Sequence, residues 1–180
     1  MSRPAAFLDR DGTLNVRPAE HDYMRSADQF RWLPGAICGA ARLASAGYAL
    51  VVVSNQRGLA RGLITYEVLW QIEARIQDAL ERHGCRAETF RYCPHDLDAR
   101  CACRKPRPGL LLSAAADLDL DLAASWMIGD TESDIGAGRA AGCRTALVGT
   151  GTVATLADLE APSLDTASEL ILSGWPRRAA

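Results

Sequence analysis

The sequence predicts an α/β protein built on a Rossmann-like parallel sheet with helices on both faces. Three observations carry that prediction. Short apolar runs alternate with helical stretches along the whole chain. Hydrophobic residues make up 48% and charged residues 23% of the 180 residues, a soluble composition sized for one core. Three apolar runs end in polar signatures, Asp9-Arg10-Asp11, Ser54-Asn55-Gln56 and Gly129-Asp130. In a parallel sheet the carboxyl ends of the strands share one edge, where ligands bind, so the fold would gather these distant signatures.

In order, residues 5–8 form a compact apolar strand ending in Asp9. Residues 34–46 read as a helix opened by Pro34 and closed by Gly47. Residues 48–53 are a β-branched strand ending in Ser54. Residues 66–82 carry Leu69, Ile72, Ile76 and Leu80 at helical spacing, and Gly84 stops them. Residues 88–92 make a short strand, 108–118 a helix, 125–129 a strand ending in Asp130, and 132–141 a helix stopped by Gly142. Residues 144–148 give another strand and 167–172 a last short helix. No repeat, low-complexity stretch or linker interrupts residues 1–180, which read as one domain with a frayed tail expected at 173–180, docking of Trp175 being the alternative. The segments between the signatures leave no room for a large cap domain. Small loops must cover the entrance, namely 15–28, which holds His21 and Tyr23, then 56–62 and the cysteine loop.

The net charge of −2, with no basic stretch, does not indicate a nucleic-acid surface. There is neither a signal core with a cleavage site nor an apolar run that would span a bilayer, so a cytoplasmic monomer without a membrane partner is expected. Disulfides are not expected among the six cysteines there. Cys38, Cys85 and Cys143 sit in apolar or loop settings and read as small buried hydrophobes.

Asp9 and Asp11 lie two apart at a strand end, which places both carboxylates on one side of an extended backbone. Gly12 lets the chain curl around a ligand. Adjacent carboxylates repel unless a cation or a shared proton relieves them. A divalent metal is the simplest relief, Asp130 adds a third carboxylate, and all-oxygen ligation is the preference of magnesium. Taken alone, each group has a plainer reading. Asp9 to Thr13 makes a polar turn, Ser54 caps a turn, Lys105 sits in a solvated loop, and Asp134 is a helix-dipole partner. In combination, Ser54 and Lys105 are able to hold phosphoryl oxygens.

Cys93-Pro94-His95, five residues, then Cys101-Ala102-Cys103 offers four ligands in one loop, the number a closed tetrahedral zinc site takes. No open position remains, so the zinc would be structural, and it would fix the Arg104 and Lys105 that follow.

The series Asp9-Arg10-Asp11-Gly12-Thr13, Ser54-Asn55-Gln56, Lys105 and Gly129-Asp130-x-x-x-Asp134 resembles the haloacid dehalogenase superfamily, with its four motifs in order from Ala5 to about Gly151. The resemblance implies that Asp9 attacks phosphorus and that Asp11 protonates the leaving oxygen and then activates water. It implies that Mg2+ is held by Asp9, Asp130 and the backbone carbonyl of Asp11. Ser54 and Lys105 would bind the phosphoryl oxygens, and Asp134 would support the metal or the lysine. The zinc loop narrows the resemblance to the branch containing heptose bisphosphate and histidinol-phosphate phosphatases. That branch implies a small phosphorylated substrate, a sugar bisphosphate in the first case, with Asn55, Gln56, Arg57 and Arg104 lining its pocket. The five-residue spacer is of the histidinol type, while Asn55 to Gly62 and Cys101 to Gly109 are close to the heptose type. Arg57 and Thr131 depart from the heptose pattern. A zinc-stabilised binding module with a decayed active site is the remaining alternative.

Overall fold

The apolar run Ala5–Leu8 is buried along its whole length and forms β1, the central rung of a six-stranded sheet. The structure is a computed structural model that describes residues 2–19, 22–149 and 155–174. The expectations placed on His21, on Gly151 and on 175–180 fall outside those residues. The other strands are β2 (Ala49–Asn55), β3 (Ala87–Cys93), β4 (Trp126–Gly129), β5 (Arg144–Val148) and β6 (Leu159–Ala161). They lie in the order β3-β2-β1-β4-β5-β6 with every pairing parallel. The helices are α1 (Ala36–Ser45), α2 (Tyr66–Glu81), α3 (Gly109–Leu118), α4 (Glu132–Ala141) and α5 (Leu164–Leu172).

Strand residues alternate between the two faces, as the period of two demands. Ala6, Leu8, Leu50 and Val52 face a core completed by Leu43 of α1, Ile72 and Ile76 of α2 and Ile171 of α5. Ala5, Phe7, Val51 and Val53 face a second core with Leu111 and Ala114 of α3 and Ala137 of α4. Both faces are therefore dry, which is why the strands read as continuous apolar runs. No helix among the described residues is long and apolar enough to cross a membrane.

Most expected elements lie within two residues of their observed bounds. The exceptions are instructive. Strand β6 was not expected, because three residues give too short a period to recognise. Helix α5 begins at Leu164 rather than 167, since the Ser163 hydroxyl caps it by accepting from the Thr166 amide at 3.2 Å. Strand β2 runs on through Ser54 and Asn55, so these residues end a strand rather than open a loop. All six cysteines are free thiols. Cys143 is buried as expected, and Cys85 is half-buried. Cys38 is exposed, contrary to expectation, because α1 buries the face carrying Ala36, Gly39, Ala40 and Leu43 and turns position 38 outward.

The strand order places the site. The chain winds outward through β1, β2 and β3, then returns to the other side of β1 for β4, β5 and β6. The reversal falls between β1 and β4, and a crevice opens at that point in a doubly wound sheet. Asp9 follows β1 and Asp130 follows β4, so the two acids flank the crevice.

Candidate active site

Three carboxylates converge at that reversal. Oxygens of Asp9, Asp130 and Asp134 lie within 4.8 Å of one another. Asp9 and Asp134 are buried and share one cation, since Lys105 Nζ stands 2.6 Å from Asp9 Oδ1 and 2.6 Å from Asp134 Oδ1. The same ammonium donates to the Val53 carbonyl at 2.9 Å. Lys105 is thus a buried group, which excludes the solvated-loop reading. Asn55 holds it there by its backbone: the Lys105 amide donates to Asn55 Oδ1, and Asn55 Nδ2 donates to the Lys105 carbonyl, each at 3.1 Å. The Asn55 amide is occupied in that clamp although the residue also lines the cleft.

Asp130 is held differently. Arg17 forks onto it, Nη2 to Oδ1 at 2.6 Å and Nε to Oδ2 at 3.1 Å. Asp134 closes a capping box at the start of α4, where its Oδ2 accepts from the Thr131 amide at 3.1 Å and the Thr131 hydroxyl at 2.6 Å. Its role as a helix-terminus acid and its support of the lysine are both realised, one on each oxygen.

Asp11 faces its own partners. Arg10 forks onto it, Nε to Oδ1 at 3.1 Å and Nη2 to Oδ2 at 2.7 Å. Asn15 adds a donor to Oδ1 at 3.0 Å and Gln56 one to Oδ2 at 3.0 Å. The extended-backbone expectation therefore fails in detail, because the chain curls immediately after β1. The Arg10 carbonyl accepts from the amides of Thr13, Leu14 and Asn15, and Gly12 takes φ +100°. The acid whose side chain joins Asp9 and Asp130 is Asp134, and the charge of Asp11 is relieved by arginine. Gln56 also donates to Ser54 Oγ at 2.8 Å, linking the ends of β1 and β2.

Charge crowding sets the titration. Burial pushes the Asp9 carboxyl up, Lys105 pulls it back, and Asp134 and Asp11 push it again, leaving it at about 7. Burial likewise pushes Asp11 up, but the Arg10 fork and the Asn15 and Gln56 donors overcome it and hold that carboxyl below its ordinary value. Burial raises Asp130 against the opposition of Arg17. Burial alone would lower Lys105, and the two carboxylates beside it raise it instead.

The cleft above these acids has a volume of about 450 Å³. Ser54, Asn55, Gln56, Arg57, Arg104 and Lys105 line it from one side, and Arg17, Pro18 and Tyr23 of the first loop from the other. Arg57 pairs with Asp96 of the cysteine loop. Arg104 Nη1 is buried without a hydrogen-bond partner. Tyr23 accepts from Arg61 at 3.3 Å.

Donor chemistry fits both expected ions, although the carboxylate expected beside Asp9 and Asp130 was that of Asp11 and the one found there is that of Asp134. Asp9, Asp130 and Asp134 offer hard oxygens only, matching magnesium. Asp130 also approaches so closely that a Cβ at position 12 would sit 1.9 Å from its Oδ2, leaving room there for glycine alone. In the loop after β3, the ligand atoms of Cys93, His95, Cys101 and Cys103 lie within 4.8 Å of one another. Their contacts include 3.6 Å from Cys93 Sγ to Cys101 Sγ and 3.2 Å from His95 Nδ1 to Cys103 Sγ. Zinc–sulfur bonds of about 2.3 Å give tetrahedral edges of about 3.8 Å, so the cluster needs little adjustment to close on zinc.

Among the site residues that sequence reasoning left unassigned are Arg10, Arg17 and Asn15. Arg10 was read only as part of its motif, and Arg17 as a loop residue. The signal for Arg10 was available, since a charged residue between two acids at a buried strand end must have an internal partner. No local pattern pointed to Arg17, whose partner Asp130 lies 113 residues away.

Comparison with known proteins gives a consistent set of likenesses. Residues 102–170 match the HAD-hydrolase-like family model. A protein of Photorhabdus laumondii named D-glycero-beta-D-manno-heptose-1,7-bisphosphate 7-phosphatase is 42% identical over 139 residues, covering 73% of this chain and 72% of that one. A protein of the same name from Escherichia coli K12 is 38% identical over 180 residues, covering 96% and 90%. Among solved structures, the D,D-heptose 1.7-bisphosphate phosphatase from B. bronchiseptica, complexed with magnesium and phosphate, superposes with a TM-score of 0.85. It is 34% identical and covers 94% of this chain and 98% of its own.

Proposed function

The chain belongs to the haloacid dehalogenase-like hydrolases, and on that premise we propose that it is a phosphomonoesterase removing the 7-phosphate of D-glycero-D-manno-heptose 1,7-bisphosphate. The observation that carries the chemistry is the convergence of Asp9, Asp130 and Asp134 around Lys105, with Asp11 beside them at the floor of one cleft. We read residues 1–180 as a single catalytic domain.

Asp9 is the nucleophile. A carboxylate oxygen of Asp9 bonds to phosphorus as the bond from phosphorus to the ester oxygen breaks, and that oxygen leaves with a proton from Asp11. Asp11, now a carboxylate, takes a proton from water as the water oxygen attacks phosphorus. The bond from phosphorus to Asp9 then breaks, releasing inorganic phosphate and restoring both aspartates. The acid role asks Asp11 to carry a proton when substrate is bound. An incoming phosphoester dianion raises its proton affinity, as like charges do at short range. Lys105 and the Ser54 hydroxyl hold phosphoryl oxygens, and Lys105 is held ready by Asn55 and Asp134. Asp9, Asp130 and the Asp11 backbone carbonyl would hold magnesium, with Asp134 in support. When bound, that ion supplies positive charge against the oxygens crowding phosphorus. Cys93, His95, Cys101 and Cys103 would hold a structural zinc that stiffens the loop leading into Arg104 and Lys105.

The lining of the cleft favours a bisphosphate. Arg17, Arg57 and Arg104 all border it, and Arg104 Nη1 has no hydrogen-bond partner within the protein, which suits this guanidinium to a second anion. Asn55, Gln56 and Arg57 complete the wall. Histidinol phosphate carries an amine and an imidazole where the sugar carries a second phosphate, so arginines there would repel it. The five-residue spacer of the cysteine loop points the other way, and Arg57 and Thr131 depart from the heptose pattern. A substrate panel at saturating magnesium decides the matter. The heptose bisphosphate is expected to exceed histidinol phosphate in kcat/KM by at least about tenfold. The reverse order would overturn the sugar assignment, and wild-type inertness toward every phosphoester would leave only a binding module.

A further inference from the structure

We propose that Arg10 is a positioning residue for the reaction, fixing the carboxylate of Asp11 in the orientation its proton transfers require. The inference rests on the phosphatase reading above and adds a residue that reading does not use.

Arg10 is 1% exposed, the largest fully buried side chain in the described structure. Burying a guanidinium is costly, and a loop that needed only packing would be better served by an apolar residue. What the cation provides is a two-point grip. Nε and Nη2 meet the two oxygens of Asp11 at 3.1 and 2.7 Å, which fixes both the position and the plane of the carboxylate. Asn15 and Gln56 each touch one oxygen and cannot set the plane alone. The grip is anchored at both ends. The Arg10 carbonyl takes the amides of Thr13, Leu14 and Asn15, so its backbone is locked into the turn. Its remaining atom, Nη1, is buried without a hydrogen-bond partner, as is the Tyr92 hydroxyl of β3. Burial pushes that phenol up, so it stays neutral, and it lies close enough to Arg10 and to Glu73 of α2 to interact with both, short of well-formed hydrogen bonds. A fully buried guanidinium costs stability, and the geometry returned for that cost is the fork on Asp11.

The test uses a substrate whose leaving group needs no proton. With p-nitrophenyl phosphate, transfer to Asp9 proceeds without an acid, whereas hydrolysis of the aspartyl-phosphate still needs Asp11 as a base. Rapid-mixing kinetics on full-length R10M should show a burst of about one nitrophenolate per chain at near the wild-type rate, followed by turnover slowed about 100-fold. With an alkyl phosphate the burst itself should be lost. R10K keeps the charge and the stem without the fork, and should keep the burst with turnover slowed about tenfold. In a D11A background, R10M should change nothing further. The proposal fails if R10M turns over within about threefold of wild type, if its burst slows in step with turnover, or if it worsens D11A. Should R10M fail to fold, R10K is judged by the same three criteria. Wild-type inertness toward every phosphoester would remove the phosphatase reading itself. An active wild type with an unaltered R10M would remove only the role of Arg10.

Discussion

At the scale of single residues, one lysine stands between the two buried carboxylates of Asp9 and Asp134. Burial and the neighbouring acids carry the proton affinity of Asp9 to about 7 against an ordinary value of about 4. Between those limits the folded, metal-free protein binds more protons at this site than the unfolded chain. The stability contributed by Asp9 is therefore full below pH of about 4 and is lost as the pH rises toward 7. Asp11 acts in the opposite sense, because its lowered value gives a contribution that is lost only as the pH falls below about 4. Thermal unfolding in a chelator should accordingly show a fall in Tm between pH of about 4 and 7 that D9N removes. Saturating magnesium should also flatten it, since a cation favours the ionised acid. A Tm unaffected by either change would show that Asp9 is not desolvated as the geometry requires.

At the scale of elements, α4 shows how a helix can be set close to a sheet to deliver one side chain. Gly138 faces β4 and β5, where an added Cβ would lie 2.6 Å from Met127 Cβ and 2.7 Å from Thr145 Cγ2. Alanine in place of helical glycine ordinarily gains about 0.5–1 kcal/mol in backbone entropy. Overpacking of this kind costs about 1–3 kcal/mol, and here the obstructing atoms are rooted in the sheet, so the cost prevails. G138A should lower the urea midpoint, and it should also lower activity because pushing α4 outward carries Asp134 away from Lys105. A variant as stable as the wild type would show that the helix yields freely. Both ends of α4 were readable from sequence, through Asp134 as an acid in the first turn and Gly142 as the stop, and the structure adds the Thr131–Asp134 capping box. The close approach at Gly138 was not readable, because it depends on what lies across the interface.

At the scale of the whole molecule, the cysteine loop ties the edge of the sheet to the site. Cys93 ends β3, Cys103 lies two residues before Lys105, and Asp96 between them pairs with Arg57. A metal held by Cys93, His95, Cys101 and Cys103 would fix the approach of Arg57, Arg104 and Lys105 together. Mercurial release should yield about one zinc per chain from wild type and none from C103S. C103S should lose at least about 5 °C in Tm, and its KM for a sugar bisphosphate should rise more than for p-nitrophenyl phosphate. Wild-type protein without zinc would remove this coupling.

The division between what the sequence determined and what only the tertiary structure decided follows the range of the forces involved. The identity of β1 to β5 and of the five helices, most helix ends, the order of the acidic signatures and the ligand-rich cysteine loop depend on residues a few positions apart and were legible, whereas the three-residue β6 and the start of α5 were not. That Asp9 and Asp130 would share an edge followed from the parallel topology. Which acids actually meet did not follow. Asp11 turned to Arg10 and Asp134 took its place, because the pairing of buried charges is settled by the local direction of a curled backbone and by partners across the fold. Arg17 on Asp130 and Asn55 on the Lys105 backbone belong to the same kind. A buried ion finds its counter-charge by distance in space, and the amino-acid order records that distance only after the chain has folded.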